Sequence, residues 1–425
     1  MDKIVEKNKN GLHGQIVIPS DKSISHRAVM MLSLAKGKSK INNFSKCADC
    51  NSTLNLFKNL GISYEYLSDD TLVLISSGKL HKSSVELDCG NSGTTMRLTL
   101  GILAGQTFDS VLIGDNVLSK RPMKRVIEPL SLMGANIESD NYTAPLKIHS
   151  SNLHGIDYSS KLASAQVKSC ILLAGLFAEG NTKYTEPYKS RNHTELMLEY
   201  LGASISNNEN TTKIEKSVLE PKDINVVGDI SSAAFFIAAG LIVPNSDIII
   251  KNVGLNPTRT GLLDVVKMMN GNVEILDKRI ISNEPVGDLR IKTSDLSACV
   301  ISGDIIPRLI DELPIIAVLA TQAKGTTVIK DAQDLRNKET DRIKAIVSEL
   351  RKLHADIEET PDGFIINGKT VLNGDCELSS FKDHRMAMSL YVAGLICKHN
   401  IVIKDFDWVR ISFPEFEKMM YSLNK

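Results

Sequence analysis

The chain has 425 residues, more than one ordinary domain holds, and a hydrophobic content of 42%, enough for cores in two or three. Its 50 Lys and Arg balance 50 Asp and Glu, so no surplus charge draws the molecule to nucleic acid or an anionic membrane. Any anion site must be local. Apolar runs such as Ala233 to Val243 stop short of the roughly 20 residues that a spanning helix needs, and no basic run stands out. The composition reads as a soluble protein that binds neither membrane nor nucleic acid.

Residues 1–14 have no apolar core for a signal peptide and lead into strand-like QIVIP at 15–19. Seven scattered cysteines suit reduced thiols, so a cytoplasmic protein without disulfides is expected. From there a repeat of roughly 65 to 80 residues runs through the chain. Helices rich in small residues open near Lys22, Asn91, Ser164, Ile230, Pro307 and Asp383. A second helix follows in each copy. In five copies it closes on a common pattern: Leu60-Gly61-Ile62, Met133-Gly134-Ala135, Leu201-Gly202-Ala203, Asn270-Gly271-Asn272 and Leu353-His354-Ala355. Glycine there fits a left-handed C-cap, with His354 replacing it once; the sixth such helix, Phe413 to Leu423, ends the chain. β-branched stretches at 71–75, 247–251 and 363–367 read as strands, and the polar run at 206–213 as a hairpin tip. Such helices bury their apolar faces only against neighbouring copies, so three copies per lobe is the simplest grouping. The expected lobes are 20–227, and 1–19 plus 228–425, with the strand Gly14 to Ile18 completing the second.

Several helix starts carry one kind of chemistry. In Pro19 to Arg27, Lys22 and Ser23 stand where helix N–H groups and the helix dipole attract an anion, and Arg27 adds charge one turn on. A capped helix with surface cations is the bland alternative. Cys89 to Arg97 repeats the arrangement, with glycines that admit a ligand close to the backbone. Ser164 to Ser169 repeats the capping hydroxyl but offers Gln166, an amide able to bridge two ligands. Arg121-Pro122 opens one second helix and Arg191-Asn192-His193 another, His193 reading as a structural hydrogen-bonder. Downstream, Asp311 and Glu312 lie in an apolar stretch where ionisation needs a partner. Lys338 to Arg342 spans one face of a helix start, and His384-Arg385 repeats the theme in the sixth copy. Cys47-Ala48-Asp49-Cys50 lacks a second cysteine pair for zinc, and Gly90-x-x-Gly93 is neither a dinucleotide fingerprint nor a Walker loop. No nucleotide cofactor is expected.

In order, DKSISHRA, GNSGTTMR, KRPM, SAQ, GDISSAAFF, PRLIDELP, KETDRI, DHRMAM and SFPEF resemble the EPSP synthases (3-phosphoshikimate 1-carboxyvinyltransferases), within the enolpyruvyl transferases, from about Gly14 to the C-terminus. The resemblance implies an α/β fold of two similar lobes, each of three βαβαββ-type units in an inside-out α/β barrel, with a cleft between lobes. It implies transfer of the enolpyruvyl group of phosphoenolpyruvate to the 5-hydroxyl of shikimate 3-phosphate, by a monomer that needs no metal and no cofactor. Shikimate 3-phosphate would be held by Lys22, Ser23, Arg27, Ser164, Gln166, Arg191, Asp311 and Lys338. Phosphoenolpyruvate would be held by Lys22, Asn91, Gly93, Arg97, Arg121, Gln166, Arg342 and Arg385. Asp311 would be the hydroxyl base, with Glu339 and Lys22 moving protons to and from the enolpyruvyl group. The chain departs from many members at Ala165 for Ser and Leu98 for Pro, and from some at Ile411 for Lys, with Arg410 adjacent. Two rivals fare worse. The sister transferases acting on UDP-N-acetylglucosamine usually have Asn after the first lysine and a loop cysteine, whereas Ser23 follows Lys22 and no Cys lies between Ile113 and Arg121. A non-catalytic binder would have no reason to keep Lys22, Asp311 and Glu339.

Overall fold

Helices and short strands alternate along the computed structural model, which describes residues Met1 to Asn424; Lys425, the last residue of the expected second lobe, lies outside the described residues. Helices α1 (Lys22–Leu32), α2 (Ala48–Asn59), α3 (Gly93–Ala104), α4 (Lys124–Leu132), α5 (Ala165–Gly175) and α6 (His193–Tyr200) come first. Then follow α7 (Ile230–Ile242), α8 (Gly261–Met268), α9 (Leu313–Gln322), α10 (Arg342–Lys352), α11 (His384–Gly394) and α12 (Phe416–Ser422). The chain divides into two compact units. The first is Ser20–Val227 with Ile280–Glu284; the second is Met1–Pro19, Gly228–Arg279 and the chain from Pro285 onward. The excursion Ile280–Glu284 is the tip of the hairpin between strands Asn272–Ile281 and Glu284–Lys292.

The odd-numbered helices are the central ones. All of α7 is buried except Ser232, all of α9 except Gln322, and all of α3 except Thr94. Burial on every side marks a helix surrounded by protein, which apolar and small residues permit. On α3, a Cβ added to Gly101 would lie 2.2 Å from the carbonyl oxygen of Cys170 on α5, so this glycine sets how closely the two helices approach. The even-numbered helices are two-faced: α10 buries Ile343, Ile346, Val347 and Leu350 and exposes Lys344 and Arg351.

Among the described residues, each unit carries three small sheets of recurring topology. In one, Leu87–Asp88 runs parallel to Ser110–Ile113, which pairs antiparallel with Thr143–His149 and that in turn with Asn136–Asp140. The same order recurs in four others. The sixth departs. There Cys376–Ser379 runs parallel to Ile401–Lys404, and Lys3–Val5 takes the antiparallel place that a hairpin strand fills elsewhere. The neighbouring strand His13–Val17 pairs with Asp247–Gly254 in the second unit.

Several expected boundaries move, each for a physical reason. In the fourth copy the left-handed residue is Asn270, at φ +59°, and not Gly271; it matches Gly61, Gly134, Gly202 and His354, all at positive φ. Asparagine tolerates this conformation, so the following glycine is not needed for it. The fifth central helix begins at Leu313 rather than near Pro307, which lies in the 3-10 turn Gly303–Arg308. Pro314 lacks an N–H and stands in the first turn of α9, where none is required. Lys338 is not on α10: Asp341 caps that helix by accepting from the Lys344 N–H at 3.1 Å, and Lys338 is an extended residue after the turn Gln333–Asn337. Arg121 likewise ends the turn Leu118–Lys120 ahead of α4, and α12 starts at Phe416 instead of Phe413.

Candidate active site

Capping side chains fix the first turns in which the sequence places its cations. Asp21 accepts from Ile24 N–H at 2.8 Å, Ser92 from Thr95 N–H at 3.1 Å, Asp229 from Ser231 N–H at 2.9 Å and Asp383 from Arg385 N–H at 2.8 Å. Ser164 holds the same position on α5 with the same extended backbone, but its hydroxyl makes no capping bond.

In the first unit, α1 meets α5 and α6 through Arg27. This buried guanidinium donates from Nε to Thr194 Oγ1 at 2.7 Å, from Nη2 to Ser169 Oγ at 2.8 Å and from Nη1 to the Ser23 carbonyl at 3.0 Å. Arg191 Nη1 donates to Ser23 Oγ at 2.5 Å. Burial, and then the like charge of Arg191, pull Arg27 down to about 10. Two guanidinium groups are thus gathered around one serine, against their mutual repulsion. Lys22 pairs with Asp49 at 3.0 Å. Its neighbour His26 is fully buried, 2.6 Å from Thr53 Oγ1, and burial holds it down at about 3, so the ring is neutral.

A second group joins α3, α4 and α5. Arg97 Nη1 and Arg125 Nη2 both donate to Gln166 Oε1, at 2.9 and 3.1 Å, while Gln166 Nε2 donates to Thr94 Oγ1 at 3.3 Å. These bonds fix which way the amide points. Gly93 opens α3 beside them, and a Cβ there would come 2.7 Å from Arg97 Nη1 and 3.6 Å from Arg121 Nη1. Asn91 donates to Asp115 at 2.6 Å, which ties the turn before α3 to the following loop.

The second unit gathers its charges differently. Arg342, buried, reaches Asp383 at 2.8 Å, Glu339 at 2.6 Å and Asp311 at 3.4 Å. Asp311 has Lys338 at 3.6 Å and Arg385 at 4.0 Å as well. Three cations thus gather around one carboxylate. Glu312, also buried, lies 3.8 Å from Arg385 and accepts from the Ser231 hydroxyl, which in turn accepts from Arg259. Burial opposes the charge on Arg342, but Asp383, Glu339 and Asp311 outweigh it and raise its pKa. Burial likewise opposes the Asp383 carboxylate, and Arg342 overrides it and holds the pKa below the ordinary value.

Within each unit the structure brings the sequence-predicted residues together: Ser23, Arg27 and Arg191; Gly93, Arg97, Arg121 and Gln166; Asp311, Glu339, Lys338, Arg342 and Arg385. Sequence reasoning missed Arg125, Lys168, Arg259 and Asp383. Only Asp383 left a signal, an acid directly before a helix that begins with two basic residues, which is a cap pattern.

The fold is that of the enolpyruvyl transferases. The enolpyruvyl transferase NikO from Streptomyces tendae superposes with a TM-score of 0.81 at 16% identity, over 99% of this chain and 97% of that one. EPSP synthase from Acinetobacter baumannii superposes at 0.90 with 38% identity, over 100% and 98%. The 3-phosphoshikimate 1-carboxyvinyltransferases of Bacillus velezensis and Bacillus subtilis are each 52% identical, over 97% of this chain and 98% of theirs. With the family profile of EPSP synthase (3-phosphoshikimate 1-carboxyvinyltransferase) matching residues 6–420, the chain belongs to the EPSP synthase family. Among the described residues, no helix is long and apolar enough to cross a membrane.

Proposed function

We propose that this chain transfers the enolpyruvyl group of phosphoenolpyruvate to the 5-hydroxyl of shikimate 3-phosphate, releasing phosphate and 5-enolpyruvylshikimate 3-phosphate, as a cytoplasmic monomer. The observation that carries the residue assignment is Asp311, a carboxylate with Lys338, Arg342 and Arg385 at 3.6, 3.4 and 4.0 Å. It is placed to accept the hydroxyl proton while the cations meet the charge of a departing phosphate.

The first unit is mainly the acceptor side. Ser23, Arg27 and Arg191, with Ser164 and Gln166, hold shikimate 3-phosphate, joined by Lys22, Asp311 and Lys338. The clustering of Arg27 and Arg191 around Ser23 supports a dianion there, since a phosphate relieves the repulsion between them. Lys22, Asn91, Gly93, Arg97, Arg121 and Gln166 hold phosphoenolpyruvate together with Arg342 and Arg385. The methylene carbon is protonated, the acceptor oxygen attacks C2 as its proton passes to Asp311, and the tetrahedral adduct then loses phosphate together with a proton from the methyl carbon, which restores the double bond. Glu339, 2.6 Å from Arg342, and Lys22 exchange protons with the enolpyruvyl group.

The test is phosphate release from phosphoenolpyruvate with shikimate 3-phosphate or UDP-N-acetylglucosamine as acceptor. Release is expected with shikimate 3-phosphate alone, falling roughly 10²- to 10⁴-fold in Asp311→Ala. Release with the nucleotide sugar would point to the sister reaction, and release with neither to a non-catalytic binder.

A further inference from the structure

We infer that Lys168 is a positioning residue for the acceptor site: it holds the segment Glu186 to Asn192 so that Arg191 meets the phosphate of shikimate 3-phosphate. The inference rests on the reading of Arg191 as a phosphate ligand.

Lys168 projects from α5 and is 1% exposed. Its ammonium contacts Glu186 Oε1 at 2.7 Å, Glu195 Oε1 at 2.8 Å and the Ser190 carbonyl at 3.1 Å. Two of these contacts are hydrogen bonds, to Glu186 and to the Ser190 carbonyl, and the third, to Glu195, is an ion pair, so the ammonium is committed to this cluster on three sides. The acceptors bracket one stretch of chain. Glu186 follows the strand Thr182–Thr185, Glu195 lies in the first turn of α6, and Ser190 immediately precedes Arg191. The segment between strand and helix has no regular structure of its own, and Tyr188 within it is exposed. Glu186 Oε1 also accepts from the Ser190 N–H at 2.9 Å, so the same ion cluster grips both polar groups of the Ser190 backbone. One residue later, Arg191 reaches Ser23 on α1.

Burying an ammonium with two carboxylates is a poor way to gain stability, since apolar packing often serves as well or better. Its advantage is directional: two charge-assisted hydrogen bonds fix the loop, and the ion pair to Glu195 ties it to α6. Arg27 makes a useful internal contrast. It is anchored by hydrogen bonds to Ser169 and Thr194, the neighbours of Lys168 and Glu195, and to Ser23, and it meets the ammonium cluster only through the charge of Glu195. A defect at Lys168 therefore falls on Arg191.

The experiment compares Lys168→Met, Glu186→Ala, Arg191→Ala and the double variant Lys168→Met/Arg191→Ala in steady-state kinetics, with circular dichroism and thermal unfolding to establish folding. Glu186→Ala frees the loop but keeps the charge-balanced Lys168–Glu195 pair, so it decides the matter if Lys168→Met does not fold. The expected result is a rise of roughly tenfold in KM for shikimate 3-phosphate in each single variant, one charged contact's worth. KM for phosphoenolpyruvate and kcat stay within about threefold, and the double variant is no worse than Arg191→Ala. An unchanged KM in Arg191→Ala would remove the phosphate-ligand reading itself. A raised KM in Arg191→Ala with normal values in the folded loop variants would overturn the inference alone, as would equal losses in kcat and both KM values or additive effects in the double variant.

Discussion

Arg27 in the first unit and Arg342 in the second are both fully buried arginines, and their surroundings push them in opposite directions. Arg27 lies among two hydroxyls and a carbonyl, and burial with the nearby Arg191 pulls it down to about 10. Arg342 suffers the same burial but faces Asp383, Glu339 and Asp311, which raise it. A buried cation held by neutral groups gains most when an anion arrives from outside. A buried cation held by resident carboxylates is already compensated, and its work is to orient those carboxylates. Under the proposed function the first cluster captures a charge, and the second, besides meeting phosphoenolpyruvate, orients the acids that move protons.

The largest test of this contrast is Arg342→Met, which leaves Asp383 buried without its partner. A loss of roughly 3–5 kcal/mol in urea unfolding is expected. Arg27→Met abandons only neutral hydrogen-bond partners and should cost about 1–3 kcal/mol, while its main effect appears in shikimate 3-phosphate binding. Similar stability losses in the two variants would break the comparison.

Acid separates the regions next. His26 sits at about 3 in the folded protein against an ordinary 6.5, so below pH 6.5 the unfolded chain takes up a proton that the folded one refuses. Stability should fall as pH drops toward 3, by at most roughly 1.4 kcal/mol per unit, and His26→Gln should flatten that slope. Asp383, a paired acid, also has a lowered folded value and so acts in the same direction, but in a lower pH range. Its lowered folded value stabilises the protein above the ordinary 3.8 and stops doing so as pH falls through that lowered value. The Asp383 loss therefore begins only at lower pH, and urea titrations at pH 7, 5 and 4 follow the His26 part of the curve.

Gly93→Ala acts on binding rather than stability. The added Cβ, 2.7 Å from Arg97 Nη1, must displace that guanidinium. KM for phosphoenolpyruvate should rise roughly tenfold, with KM for shikimate 3-phosphate nearly unchanged. The smallest effect belongs to the repeat turn of the second unit. His354, at φ +66°, occupies a place that glycine fills three times in the first unit, so His354→Gly should raise stability by up to about 1 kcal/mol in thermal unfolding.

That turn also shows what the sequence made legible. Glycine at 61, 134 and 202 announces a left-handed C-cap and so reveals the repeat, because few residues accept that geometry. At Asn270 the rule misled by one residue, since asparagine tolerates the same angles. Capping and proline chemistry explain the shifts at Lys338 and Pro307, because Asp341 and Pro314 each define a helix start more strongly than the charged or apolar pattern around them. Among the site residues, those on helix starts were visible through their spacing. Arg125, Lys168 and Arg259 were not: each acquires its meaning from a partner at least 18 residues away, which no local pattern encodes.

The strand Lys3–Val5 pairs with Ile401–Ile403, which bears on how the polypeptide assembles as it leaves the ribosome. Ser20–Val227 emerges as one uninterrupted stretch, whereas the second unit has its opening strand made first and that strand's partner made near the end. At about 5–20 residues per second, the opening strand waits roughly 20 to 80 s for its mate. During that wait Ile4 and Val5 are flanked by Asp2, Lys3, Glu6 and Lys7, charges that discourage the nascent edge from pairing with another chain.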